Sequence, residues 1–78
     1  MVHVGQVLIH PVHGRMVVTA IDPPGDEEYI DGKWRDGHII HAKFDRFIPG
    51  IRWREGKGKN TVSKLIFHEY YLDRLRAE

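Results

Sequence analysis

Read as alternating apolar and polar positions, the chain breaks into short extended segments. Residues 6–10 (QVLIH) are rich in branched side chains and read as a strand. Pro11 ends it, because proline cannot donate to a ladder. Gly14 can take the positive φ of a tight corner. A second strand follows over 15–21, apolar on both faces, which predicts a central strand covered on both sides. Residues 22–26 (DPPGD) are a loop. Two short arms, 28–30 and 33–35, flank Asp31-Gly32, a pair that favours a type I′ hairpin turn. Over 38–44 the chain alternates. Ile40, Ala42 and Phe44 form the predicted core face, with Ile39, His41 and Lys43 opposite. Residues 51–55 alternate again, with Ile51 and Trp53 opposite Arg52 and Arg54. A glycine-lysine tip at 56–60 leads into a returning strand over 61–67. Only the tail, 68–77, is a helical candidate, with Tyr71, Leu72 and Leu75 on one stripe.

About five short strands with glycine-rich turns in 78 residues predict an all-β fold. The expected form is a small, strongly bent SH3-like barrel with a short C-terminal helix docked on it; an OB-type barrel is the alternative. The length fits a single domain spanning residues 1–78, with 41% hydrophobic residues for one modest core. Without cysteine there are no disulfides and no thiolate metal sites. No segment approaches the roughly 18 apolar residues of a membrane span, so a soluble, cytoplasmic protein is expected.

The net charge of +1 hides an uneven distribution. Residues 22–36 carry six acids against Lys33 and Arg35, and residues 51–64 carry five bases against Glu55. The two blocks either attract each other or face different partners.

The segment VGQVLIHPVHGRMVVTAI resembles the opening of the RNA-polymerase-interacting, Tudor-like domain of CarD-type transcription regulators, a domain related to one in the transcription-repair coupling factor. Val4, Gly5, Val7, Pro11, His13, Gly14, Val18 and Ile21 meet the shared pattern. The end is also similar: the strand over 61–67, a helical turn, then Leu75-Arg76. The similarity is good over about the first 20 residues and looser beyond. Residues 23–36 and 49–60 look longer than the family's connections, and residues 1–78 are expected to be the interaction module alone, without a counterpart of the family's following DNA-binding helical domain. The resemblance implies an interaction module that docks on the β subunit of bacterial RNA polymerase through an exposed sheet edge and modulates transcription.

Candidate chemistry narrows the choice further. Six histidines invite a metal, yet His38 and His41 fall on opposite faces of a strand, and only His10 and His13 flank a turn. The simpler reading makes Pro11, His13 and Gly14 a structural corner, with the His13 ring bonded to a backbone group. No metal and no cofactor is expected. The single serine, Ser63, belongs to no recognisable triad, so no catalytic residue is assigned and an enzyme is not expected. Partner-binding candidates are Lys43 and Lys64, as outward bases, and Trp34, either an exposed anchor or a lid over one barrel end. The rival reading is a nucleic-acid-binding barrel using the basic 51–64 hairpin. There Arg52, Arg54, Lys57 and Lys59 would track phosphates and Trp53 would stack on bases, unless Trp53 instead fills the core. A third reading is a structural or assembly protein of phage type, which would oligomerise by itself.

Overall fold

The computed structural model describes residues 2–57 and 60–77. Lys59, one of the expected phosphate contacts, lies outside them. In chain order the strands are β1 (Val7–His10), β2 (Gly14–Asp22), β3 (Glu28–Ile30), β4 (Lys33–Arg35), β5 (Ile39–Phe44), β6 (Trp53–Arg54), β7 (Thr61–Val62), β8 (Lys64–His68) and β9 (Arg76–Ala77). A 3-10 helix, Glu69–Arg74, joins β8 to β9. The main sheet is five-stranded and antiparallel, in the order β8-β5-β2-β1-β9. Two short hairpins, β3-β4 and β6-β7, stand apart from it.

The chain is therefore an all-β domain of SH3-like plan. Four strands meander, a 3-10 helix crosses over, and a last short strand pairs with the first. The barrel is open, because β8 and β9 end the sheet without pairing with each other.

Alternation explains the core. Met16 and Val18 of β2, Ile40, Ala42 and Phe44 of β5, Leu8 of β1 and Ile48 are buried together. Each such large side chain contributes about 1.5–3 kcal/mol by leaving water. β2 lies in the middle of the sheet, as its two-sided hydrophobicity predicts, but the cover is unequal. Met16 and Val18 are fully buried, whereas Val17 and Ile21 are half-buried. The register shifts between Val18 and Ala20, and the bulge bends the strand around the core.

Two expected elements come out differently. The returning strand over 61–67 is split at Ser63 into β7 and β8. Ser63 is buried, and its hydroxyl accepts from the Ile48 N–H at 2.6 Å and donates to the Ile48 carbonyl at 3.1 Å. The side chain thus satisfies the Ile48 N–H, which would otherwise be buried unpaired, and adds a second donor to the Ile48 carbonyl, which also accepts from the Ile51 N–H. The helical tail is shorter than its apolar stripe suggests. His68 belongs to β8, and residues 76–77 pair with β1 as β9. Leu72 and Leu75 do pack against the core, as the stripe predicts.

The crossover is held at its start by a reciprocal clamp. The His38 N–H donates to Glu69 Oε1 at 2.7 Å, and the Glu69 N–H donates to the His38 carbonyl at 2.9 Å. His68 Nδ1 accepts from the Tyr70 N–H at 2.9 Å and caps the helix. Gly37 lies so close that a Cβ there would stand 2.6 Å from Glu69 Oε1 and 2.7 Å from the His68 ring.

Replacing Ser63 with alanine leaves the Ile48 N–H without its partner, while the Ile48 carbonyl keeps the Ile51 N–H at 2.9 Å. Ser63→Ala is expected to lower stability by about 1–3 kcal/mol, read as a lower urea midpoint at unchanged slope.

Candidate functional site

The Pro-x-His-Gly segment is a corner, with Gly14 at φ 85°. Its key side chain is not the expected one. His10 Nδ1, not the His13 ring, accepts from the backbone N–H groups of Val12 and His13, both at 3.1 Å. One ring nitrogen ties two turn donors. The His13 ring lies beside it, with centroids 5.0 Å apart, and both rings meet Phe44 edge-on. Burial and the neighbouring His13 together lower the His10 pKa, so the neutral acceptor form is favoured. The other two spaced histidines part company: His38 faces Glu69 at 3.1 Å and His41 faces Asp22 at 2.8 Å. Among the described residues, no three His, Asp or Glu side chains converge as a metal site would need.

The acidic excursion is latched to the crossover. Asp31, in the β3-β4 turn, accepts from the Tyr70 hydroxyl at 2.8 Å and from Arg74 at 3.0 Å. The Arg35 guanidinium lies 4.0 Å from the centre of the Tyr70 ring. The bond to Asp31 raises the Tyr70 pKa. Trp34 is 61% exposed and meets Tyr29 edge-on at 5.3 Å. It lines an open cavity of about 290 Å³ with Asp36, His68, Glu69 and Tyr70. The hairpin therefore leans on one end of the sheet while its tryptophan remains in solvent.

The basic hairpin and the two outward lysines form one surface. Lys43 and Lys64 are directly opposed across β5 and β8, an arrangement that like charges disfavour. The β6-β7 hairpin relieves it. Glu55 pairs with Lys43 at 3.3 Å, and the Lys64 ammonium sits 4.8 Å from the centre of the Trp53 ring. Ile51 is half-buried against the core, but Trp53 is 41% exposed, so Ile51 and Trp53 do not share a buried face. The ring is held by Lys64 at the surface and does not fill the core. Arg52, Arg54 and Lys57 are exposed. Among the described residues, no ion pair joins the acidic 22–36 block to the basic 51–64 block.

One surface escaped the sequence reading, the outer edge of β8. The Phe44 N–H donates to the Ser63 carbonyl and the Glu69 N–H to the His38 carbonyl. With the β5-β8 register, this aims the backbone groups of residues 63, 65, 67 and 69 at β5. Those of Lys64 and Ile66 face outward, and among the described residues no strand pairs with β8 on that side. The Ile66 side chain is also 39% exposed. Its alternation with Leu65 and Phe67 carried a signal of this, since an apolar residue on the outward phase of a strand is unusual. Asp31 and Glu69 were missed because their partners, Tyr70 with Arg74 and His38, are more than thirty positions away.

No family model, curated protein or solved structure matches this chain.

Glu69 has a lowered pKa, chiefly through the His38 N–H and then the His38 ring. Folding therefore favours its ionised form, so the contribution is complete above its ordinary value of 4.5 and lost as pH falls through the lower folded value. Melting temperatures of the wild type and Glu69→Gln measured from pH 7 to pH 3 should differ most at neutral pH and converge in acid.

Proposed function

We propose that this chain is a non-enzymatic binding module that docks a protein partner by strand addition along the outer edge of β8. The observation that carries this reading is the five-residue edge strand with outward backbone groups at Lys64 and Ile66. An extended segment of a partner can complete that ladder. Natural sheets usually blunt such edges. Here the edge bears a half-exposed isoleucine, and its one lysine is turned onto Trp53. The resemblance to the polymerase-interacting domain of CarD-type regulators supports the β subunit of bacterial RNA polymerase as the partner and transcription as the process. Trp34, Lys43 and Lys64 remain the side chains proposed to meet it, with Ile66 added.

The second reading, a nucleic-acid-binding barrel, is favoured by the exposed ring of Trp53 between Arg52 and Arg54. A base can stack on such a ring while the arginines meet phosphate.

Ile66→Pro separates the two. Its N–H faces away from β5, so proline removes a docking donor without cutting the internal ladder. The variant should fold, with a far-ultraviolet spectrum like the wild type, and lose binding to purified polymerase β subunit. Binding that survives Ile66→Pro, but vanishes in Arg54→Glu/Lys57→Glu and falls steeply with salt, would establish the nucleic-acid reading instead.

A further inference from the structure

The open seam of the barrel contains an apolar slot of about 230 Å³. Leu65 and Phe67 of β8 form one wall; His10 and Pro11 at the end of β1, with Tyr71 and Leu75 from the crossover, form the other. It is smaller than the roughly 300–1,000 Å³ of small-molecule pockets, and close in scale to one large side chain. Its position beside β8 is what gives it meaning.

Side chains directly opposite each other in paired strands lie on the same face. Leu65 and Phe67 lie on the face that packs against the core, in phase with Ala42 and Ile40. A strand added to the outer edge of β8 would therefore turn its residues opposite Leu65 and Phe67 to that same face, where the slot opens. Its alternate residues would lie beside Lys64 and Ile66. The backbone groups of the edge require an extended polypeptide, and the slot requires an apolar side chain. Charge adds a third requirement. The cationic side chains on β8 and around the slot are Lys64 and Arg74, the latter also paired with Asp31; His10, His68 and Tyr71 are the other ionisable groups there, and no carboxylate lines the slot.

We infer that the seam slot is a specificity pocket for one large aliphatic or aromatic side chain of an extended, acid-flanked peptide segment paired with β8. This rests on the strand-addition reading and deepens it, but it does not depend on the partner being RNA polymerase.

The test is selection of a displayed library of random twelve-residue peptides against the intact protein. Enriched peptides should share one large apolar residue with acidic neighbours, in a pattern of alternating positions. In a synthetic peptide of that sequence, alanine at the apolar position should weaken binding about ten-fold or more, and lysine for the acids should weaken it as well. A diazirine-bearing leucine at the apolar position should crosslink to Leu65, Phe67, Tyr71 or Leu75. Ile66→Pro should abolish capture. Enrichment of no such pattern, crosslinking at Trp34 or the β6-β7 hairpin, or undiminished binding to Ile66→Pro would each overturn the inference. Peptide binding without binding to polymerase β subunit would remove the polymerase partner and leave the slot standing. Polymerase binding that depends on Ile66, with no selection for the apolar residue, would leave the edge and remove the slot.

Discussion

The clamp between His38 and Glu69 is the interaction on which the rest of the architecture hangs. A chain this small closes its core by carrying the backbone from one end of the sheet to the other in a single short crossover. Glu69 begins that crossover with its carboxylate on the His38 N–H and its own N–H on the His38 carbonyl. The second link extends the β5-β8 pairing by one residue, and the first lets the chain leave the sheet without stranding the His38 donor. His68 caps the turn next door, and Gly37 makes room for both. Leu72 and Leu75 are then delivered to the core and residues 76–77 to β1.

That route also creates the surfaces on which a function can be built. Because the crossover spans the gap between β8 and β9 and no strand of the described residues fills it, β8 keeps a free edge there and a slot opens beside it. The same 3-10 helix offers Tyr70 and Arg74 to Asp31, which latches the β3-β4 hairpin and leaves Trp34 exposed. Closing the core and leaving the β8 edge open are two results of one connection.

The β6-β7 hairpin has a comparable double role. Lys43 and Lys64 face each other across two strands, and Glu55 and Trp53 accommodate them. A ring placed for that purpose stays at the surface. This is why the polymerase and nucleic-acid readings draw on neighbouring residues while differing in the backbone they require: one uses the β8 edge, the other the hairpin tip.

Much of the local structure was legible in the sequence by itself. The two-residue period over 38–44 marked Ile40, Ala42 and Phe44 as core, and they are buried. Asp31-Gly32 marked a hairpin turn, and both residues take positive φ. Proline and glycine marked the corner after β1. These features follow from sterics and side-chain period, which act over a few neighbours. Tertiary structure alone decided the rest. Whether His10 or His13 held the corner depended on which ring faced the turn donors. The break at Ser63 depended on Ile48, fifteen positions earlier. Trp53 lies outside the core, where its ring meets Lys64 of another strand. The free edge of β8 existed only once the strand order was set. Each of these outcomes rests on contacts between residues far apart in the chain, and periodicity carries no information about which distant groups meet.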